Sequence, residues 1–353
     1  MTTTQFNVSA NLQGWSEALS KFPVKNQDVY FTPEYHGLHI ANSNGEVFCT
    51  LLQDKEQTLL VPGLRLPVPS WLSHEPSATY FDLQTCNGYG GPVASENVTH
   101  EFLERAWNEW RQGCAKNGIV AAFFRLHPLL NNERWLPSDA EIVSDRQTVY
   151  VDLREGVDIA WSSASSRHRN MVNKGRRDGV VIQWNDSEGW IEFERLYAHA
   201  MERLTAPEAL RFSAAYFAKL RGLPGVELAS VWRNGEFQAG SVFLFGNRWA
   251  HYHLSVRSPE SDNTSTNCIL QEAVQMAAAR GLEGIHLGGG RTSSPDDSLL
   301  KFKLGVGEKR LDFKVALVIS NPKVFKALCQ TWRDENGRSP DWLLGYRQPK
   351  KLQ

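Results

Sequence analysis

The stretch 226-VELASVWRNGEFQAGSVFLFGNRWAHYHLSV-256 decides the fold class. It contains three β-rich runs, 226–232, 238–245 and 249–256, and the turn signals Asn234-Gly235 and Gly246-Asn247 separate them. An Asn-Gly pair between two β-rich runs is a strong hairpin signal. The stretch therefore predicts an antiparallel meander of three strands.

The chain beyond the meander predicts a helix and a further strand. After the polar loop 257–266, apolar residues recur at helical spacing over 267–280, and Gly281 is a plausible helix stop. Residues 284–287 form a short apolar run that is typical of a buried strand. The expected order is hairpins, loop, helix and adjacent strand.

The first half of the chain repeats this order more loosely. Its paired strands, third strand, loop, helix and last strand are predicted at 46–52, 57–66, 80–83, 87–92, 98–116 and 119–126. This is the core order of a GNAT acyltransferase, and its repetition predicts an α+β protein of two tandem GNAT-like domains, each a mostly antiparallel mixed sheet flanked by helices. Two unrelated α+β domains are the alternative. The predicted domains are 1–148 and 149–320, followed by a C-terminal helix and tail at 321–353 that can pack back on the first domain.

Composition excludes several classes of protein. The 353 residues carry a net charge of −1, whereas a protein that lives on nucleic acid is usually strongly basic, so DNA is not an expected partner. The five cysteines are scattered without a CxxC pair, which favours a reduced cytosol. The start of the chain, residues 1–10, is polar, and no run approaches the ~20 apolar residues of a membrane span. We expect a cytoplasmic protein, with at most transient contact with a membrane surface.

A strongly basic segment, SSRHRNMVNKGRRDG, occupies residues 165–179 and has helix-capping residues at both ends. On a helix, Arg167, Asn170 and Lys174 fall on one face, and Arg169 lies on a neighbouring stripe. Guanidinium groups bind phosphate and carboxylate oxygens in a fork. The segment predicts a surface for an anionic substrate, although a solvated basic helix face explains the same pattern.

Two histidines lie two residues apart in the predicted strand WAHYHLSV, residues 249–256. His251 and His253 therefore point to the same face, where an imidazole beside a cleft can act as a general base near neutral pH. We predict His253 in that role, against the alternative of a structural histidine. Because a third ligand at metal spacing is missing, we predict no metal site.

Three glycines, Gly288, Gly289 and Gly290, follow the predicted buried strand in IHLGGGR, residues 285–291. Glycines let the backbone approach a ligand, and free amides can face an anion or a developing oxyanion. The spacing fits neither a P-loop nor a dinucleotide fingerprint. A tight structural turn is the alternative.

The segment DDSLLKFKLG, residues 296–305, places Lys301 and Lys303 beside apolar neighbours that include Phe302. Ser298 is the expected cap. A lysine beside an aromatic wall can hold a phosphate or stabilise negative charge at a transition state. The alternative is an amphipathic segment with solvated lysines.

Together these segments resemble the Fem family of aminoacyltransferases within the GNAT superfamily. HLGGGR followed by DDSLLKFK is similar to the C-terminal signature of Fem-like proteins, and NCILQEA, which starts at Asn267, resembles a family helix. SSRHRNMVNKGRRDGV resembles the family's basic segment, and NGYGGPV (87–93) and FRLHP (124–128) resemble landmarks of its first half. The likeness runs from about residue 29 to about residue 313.

The resemblance implies a tandem GNAT fold without metal, which transfers an acyl or aminoacyl group to an amine, often on a cell-envelope glycan precursor. It implies that Phe302 and Lys303 lie at the reaction centre, where Lys303 stabilises charge on the donor carbonyl oxygen or the leaving group. The predicted residues that bind substrate or donor are Arg167, Arg169, Asn170, Lys174, Tyr89, Gly90, Gly91, Asn267, Gly288, Gly289, Gly290, Arg291 and Ser298.

The donor stays open between acyl-CoA and aminoacyl-tRNA, with no tightly bound cofactor expected. The loop SPESDNTST, residues 258–266, lacks the glycines of the usual coenzyme A loop, and its acids would repel a pyrophosphate. The first-half loop with Gly88, Gly90 and Gly91 is a better backbone cradle. The expected acceptor is a small-molecule or lipid-linked glycan precursor. The competing functions are a plain sugar N-acetyltransferase, a non-catalytic nucleotide-sugar binder and a structural partner in polysaccharide assembly.

Overall fold

The computed structural model describes residues 1–7, 12–40, 44–72 and 79–349, so residues 8–10 of the polar start and residues 350–353 of the tail lie outside the described residues. The strands are β1 (Thr2–Asn7), β2 (Glu46–Asp54), β3 (Gln57–Pro67), β4 (Phe81–Gln84), β5 (Val93–Ala94), β6 (Ile119–Arg125), β7 (Glu141–Asp152), β8 (Val181–Trp184), β9 (Val226–Arg233), β10 (Glu236–Phe245), β11 (Trp249–Arg257), β12 (Gly284–Gly289) and β13 (Lys309–Ile319). The α-helices are α1 (Leu12–Ser20), α2 (Pro33–Ile40), α3 (His100–Lys116), α4 (Val157–Ser163), α5 (Ser166–Arg177), α6 (Ser187–Arg203), α7 (Ala214–Leu220), α8 (Asn263–Ala279), α9 (Ser298–Leu304) and α10 (Pro322–Asn336). The chain forms two compact units: the first is Met1–Ser144 with Phe313–Gln353, and the second is Asp145–Asp312.

The sheet of the first unit begins as an antiparallel meander of β1, β2, β3 and β4. Helix α3 then returns the chain so that β6 pairs in parallel with β4, and β13 lies antiparallel to β6. Thr99 caps α3 by accepting a hydrogen bond from the amide of Phe102, as expected of a threonine at a helix N-terminus.

The sheet of the second unit has the same order. Strands β8, β9, β10 and β11 form an antiparallel meander, α8 returns the chain, β12 pairs in parallel with β11, and β7 lies antiparallel to β12. The β9–β10 turn contains Asn234 and Gly235 with φ of 52° and 79°, the left-handed conformation that a two-residue hairpin turn needs. The predicted α+β class and the predicted repetition are confirmed.

Each unit takes its last strand from the other half of the sequence. Strand β7 follows β6 in the chain but pairs with β12 in the second unit, and β13 follows β12 but pairs with β6 in the first. The units are therefore not the contiguous segments 1–148 and 149–320 of the sequence analysis. Residues 313–320 and the C-terminal segment belong to the first unit.

The C-terminal segment is part of the core of the first unit. Trp332 of α10 is fully buried in one cluster with Val120 and Ala121 of β6. Arg347 pairs with the buried carboxylate of Asp82 at 2.7 Å and donates to the carbonyl of Pro67 at 2.6 Å. These contacts tie the tail to strands β3 and β4.

Different helices cover the two faces of the second sheet. Ala239 belongs to the core cluster that also contains Ile269 and Ala273 of α8. A Cβ on the next residue, Gly240, would instead lie 2.9 Å from Phe193 of α6. Because adjacent strand residues point to opposite faces, α8 covers one face and α6 covers the other. No helix in the described residues combines the length and apolarity needed to cross a membrane.

Candidate functional site

Strands β11 and β12 separate after a short parallel pairing. They pair with each other at Trp249–Gly284, Ala250–Ile285 and His251–His286, and beyond these residues no further pairing joins the two strands in the described part of the chain. Each strand also carries a bulge there, because the register skips His253 against β10 and Leu287 against β7. A bulge leaves an unpaired residue and is over-represented beside active sites. We call this separation the strand gap.

The ammonium group of Lys303 lies in the strand gap. Its Nζ donates to the carbonyl of Gly289 on β12 at 2.7 Å and lies 5.6 Å from the ring centroid of Tyr252 on β11. Lys303 is only 7% exposed, and burial lowers its pKa to about 8, against the opposing effect of the Asp297 carboxylate. An ammonium has three hydrogens, so hydrogens remain for another acceptor after the bond to Gly289.

The glycine turn before α9 is organised by Asp297. Its carboxylate accepts from the amides of Arg291 and Thr292, both at 3.1 Å, and from two amides in the first turn of α9. These amides, that of Leu300 foremost, lower the pKa of Asp297 to about 2. A Cβ on Gly290 would lie 2.5 Å from Asp297 Oδ1, so glycine is required there. Asp297 thus fixes the turn to the helix that carries Lys303.

This role of Asp297 was not predicted from the sequence. The expected cap was Ser298, which is the first residue of α9, while Asp297 is the N-cap. The available signal was an aspartate directly before an apolar run, since Asp is as good a cap as Ser. Helix α8 also starts earlier than predicted, at Asn263, so the predicted loop 257–266 contains its first turn.

A cleft of about 410 Å³ lies between the helices α5, α8 and α9. Phe302 lines it, and the next residue on α9 is Lys303. Arg167 and Lys301 bring positive charge; Lys301 pairs with Asp296 at 2.9 Å, whereas Arg167 has no partner within the described ranges. The cleft is lined by Ser165, Arg167, His168, Met171, Asn263, Asn267, Ser298, Lys301, Phe302 and Gly305.

The basic segment forms α5, with Ser165 as its N-cap. Arg167 reaches the cleft and Asn170 is exposed to solvent. Arg169 donates to the carbonyls of Ser162, at 2.9 Å, and Ala164. Lys174 pairs with Asp262, the N-cap of α8, at 2.7 Å. The structure therefore brings only Arg167 of these residues to the cleft, and the chain's own groups engage Arg169 and Lys174.

His253 lies away from Lys303. Its Nε2 is 3.1 Å from the hydroxyl oxygen of Tyr216 on α7. Tyr216 packs against Phe217, and Phe217 packs against Phe193 of α6. Tyr252, next to His253 on β11, packs instead on the α8 side of the sheet, where Lys303 is found. Burial lowers the pKa of His253 to about 3, so its imidazole is a weak base at neutral pH. His253 forms the bulge beside the strand gap, but its side chain contacts Tyr216 of α7 rather than Lys303.

The first-half glycines form a tight internal turn. The amide of Gly90 donates to the carbonyl of Arg125 at 2.7 Å, and the Asn132 side chain donates to the carbonyl of Gly90 at 2.7 Å. Gly91 has a φ of +93°. The ring of Tyr89 packs edge-on against Phe313, with centroids 5.3 Å apart. The amide of Gly90 is therefore committed to the protein itself.

The parallel strand pair of the first unit has no such gap. Directly after the last residue of β4, the amide of Thr85 donates to the carbonyl of Phe123 at 3.1 Å. The hydroxyl of Thr85 accepts a hydrogen bond from the amide of Arg125 at 2.9 Å. Gly90 and Leu126 form a further parallel bridge. These bonds close the position that corresponds to the strand gap.

The second unit contains the part of the chain that matches a known family model. Residues 162–303 match the family model described as an acetyltransferase (GNAT) domain, and no curated protein matches the sequence. The chain is similar in structure to FemX, with a TM-score of 0.68 and 13% identity over 91% of this chain and 99% of FemX.

Two further solved structures are similar to the chain, with lower TM-scores. The C-terminal domain of a putative lysylphosphatidylglycerol synthetase from Agrobacterium fabrum has a TM-score of 0.57 and 13% identity, over 90% of this chain and 95% of that domain. L-PGS from Bacillus licheniformis has a TM-score of 0.55 and 10% identity, over 91% and 94% of the two chains. At such identities the likeness establishes the fold. The predicted resemblance is confirmed at that level: the chain has a fold similar to that of FemX, and residues 162–303 match the acetyltransferase (GNAT) domain model.

Proposed function

We propose that the protein is an N-acyltransferase whose reaction takes place in the strand gap of the second unit. One observation carries the proposal: the buried ammonium of Lys303 contacts both separated strands and retains hydrogens for another acceptor. A donor carbonyl in the gap would place its oxygen beside this cation. Stabilising a developing oxyanion in this way is worth roughly 10²–10³ in rate.

The chemistry follows from an amine attacking the donor carbonyl. A C–N bond forms, the carbonyl oxygen becomes an oxyanion beside Lys303, and the bond to the leaving thiolate or ribose oxygen then breaks. The leaving group needs a proton and the attacking amine must lose one. An ammonium with a pKa of about 8 can give its proton to the leaving group and be recharged by the amine, because its pKa lies near neutral pH.

Two observations support placing the reaction in the second unit alone. The corresponding position of the first unit is closed by the hydrogen bonds of Thr85 and Gly90. The match to the GNAT domain covers residues 162–303, all within the second unit. The glycine loop of the first unit is therefore not part of the proposed catalytic site.

We propose that the cleft beside α9 holds the donor, either an aminoacyl-tRNA or an acyl-CoA. Arg167 and Lys301 can contact a phosphate, and Phe302 offers an apolar surface. Asp262, the acid at the start of α8, is paired with Lys174 and does not separate the two donors, because both carry phosphates. The proposed acceptor is an amino group of a small molecule or cell-envelope glycan precursor, in line with the fold shared with FemX.

The test is acyl transfer by the purified protein, with alanyl-tRNA and acetyl-CoA as donors and amino sugars and envelope precursors as acceptors. Lys303→Ala should lower turnover roughly 10²-fold or more. Lys219→Ala, which removes an exposed lysine of α7, is the matched control and should have no effect. Full activity of Lys303→Ala would exclude the proposed site. Saturable binding of a nucleotide sugar without turnover would favour the alternative of a non-catalytic binding protein.

A further inference from the structure

A chain of buried polar side chains connects α5 and α8, and two of its members, His168 and Asn267, line the cleft. Asn267 Nδ2 donates to the backbone carbonyl of Asn263 at 2.7 Å, and Asn267 Oδ1 lies 2.6 Å from His168 Nδ1. His168 Nε2 lies 3.4 Å from the side-chain oxygen Oε1 of Gln271. His168, Asn267 and Gln271 are each exposed by 5% or less. Buried polar groups destabilise a protein unless they are hydrogen-bonded, so this arrangement is strongly specified.

The partners determine which atoms carry hydrogen. A backbone carbonyl only accepts, so the group of Asn267 that faces Asn263 is the NH₂. Its oxygen must then face His168, and Nδ1 of His168 therefore carries the hydrogen. Burial lowers the pKa of His168, which favours the neutral ring with Nε2 as an acceptor. The structure places Oε1 of Gln271 opposite Nε2, and a 180° turn of that amide gives the NH₂ that a neutral ring with a bare Nε2 requires.

Asn267 retains one Nδ2 hydrogen that has no partner in the part of the chain that the structure describes. Because His168 and Asn263 hold the amide and Asn267 lines the cleft, we propose that Asn267 is a specificity-determining residue that donates this hydrogen to the acyl donor. His168 is the positioning residue that holds it. This inference rests on the proposed function, since its ligand is the donor.

The energetic reason is the penalty for an unpaired donor. A pre-oriented buried N–H that meets no acceptor stays unsatisfied, and sites of this kind discriminate strongly against ligands that lack the acceptor. The expected ligand feature is therefore a hydrogen-bond acceptor, such as a carbonyl, hydroxyl or ring nitrogen, on the part of the donor that enters the cleft.

The first test needs no activity. In protein labelled with ¹⁵N-histidine, a long-range ¹H–¹⁵N spectrum should show His168 protonated at Nδ1 and bare at Nε2, with the signal assigned by its loss in His168→Asn. The Nε2–H tautomer would overturn the inference, because Asn267 would then have no donor for its oxygen.

The second test separates donor binding from turnover, with alanyl-tRNA and acetyl-CoA as donors. His168→Leu removes the hydrogen bond to Asn267, and so does Asn267→Ala, so each should raise the KM for the donor about tenfold, as for one lost hydrogen bond, with kcat nearly unchanged. His168→Asn places an amide N–H at the position of Nδ1 and should restore KM to within about threefold. Asn173→Ala, on the exposed side of α5, is the control.

If His168→Leu and His168→Asn raised the KM for the donor equally, the positioning role of His168 would be contradicted. A loss confined to kcat would contradict it as well. A wild-type protein that transfers no acyl group from either donor would instead refute the proposed function, and the histidine spectrum would still decide whether Asn267 is held as inferred.

Discussion

Replacing Lys303 by Met tests whether a charged ammonium is buried in the strand gap. The pKa of Lys303 falls from 10.5 to about 8 on folding, which corresponds to about 3 kcal/mol of unfavourable burial of the charge at neutral pH. Between pH 8 and 10.5 the unfolded chain binds a proton that the folded protein does not. Stability from this group therefore rises with pH in that window, and the penalty is present in full below it.

Lys303→Met removes the penalty together with the hydrogen bond to Gly289. The variant should be more stable than the wild type at pH 7 by about 1–3 kcal/mol, with the lost hydrogen bond offsetting part of the gain. This advantage should shrink as the pH approaches 10. Urea unfolding, followed by tryptophan fluorescence at pH 7, 8, 9 and 10, measures the difference between the two proteins. Lys219→Met is the control for an exposed lysine, and its difference from the wild type should not depend on pH.

A difference between wild type and Lys303→Met that stays constant from pH 7 to pH 10 would refute this reasoning, because Lys303 would then titrate as a solvated lysine. Greater stability of the wild type at pH 7 would refute it as well. A substitution that stabilises a protein and lowers its activity is common where the native residue is a charged group buried for catalysis.

Three further predictions follow from the same geometry. Gly288→Ala forces a side chain into a φ of +73° and should destabilise the protein by about 1 kcal/mol or more in urea unfolding, whereas Gly37→Ala in α2, where a Cβ meets nothing within 4 Å, should be neutral or stabilising. Asp297→Ala frees the glycine turn from α9 and should lower acyl transfer roughly tenfold or more, because Lys303 is then displaced. The substitution does not remove the ion pair between Lys174 and Asp262 at the start of α8. Arg347→Met leaves the carboxylate of Asp82 buried without its cation and should destabilise the first unit by about 3–5 kcal/mol, without changing turnover per folded molecule.

Local chemistry explains why the second-unit meander could be predicted. The turn at Asn234 and Gly235 requires positive φ at both residues, and few other residue pairs tolerate it. The start of α8 could not be predicted in the same way. Thr264 is polar and resembles a loop residue in the sequence, but contact with Met171 of α5 helps to bury it. The exchange of β7 and β13 is a non-local pairing that no short stretch of sequence encodes.

The candidate site was predictable in part. The resemblance selected Phe302 and Lys303, and the structure places Phe302 in the cleft and Lys303 in the strand gap. The partners of Arg169 and Lys174 were not predictable, because an isolated cationic helix face does not reveal which acids or carbonyls fold against it. Lys174 meets Asp262, which lies 88 positions further along the chain. The same limitation applies to His253, whose partner Tyr216 lies on a helix that sequence analysis missed.

The most direct test of the central claim is a crystal structure of the protein with a stable analogue of the donor, such as an amide-linked aminoacyl-tRNA end or an acyl-CoA thioether that retains its carbonyl. We predict that the carbonyl oxygen lies between β11 and β12, at about 2.7–3.2 Å from Lys303 Nζ. A carbonyl bound elsewhere, with Lys303 still closed off against Gly289 and Tyr252, would contradict it.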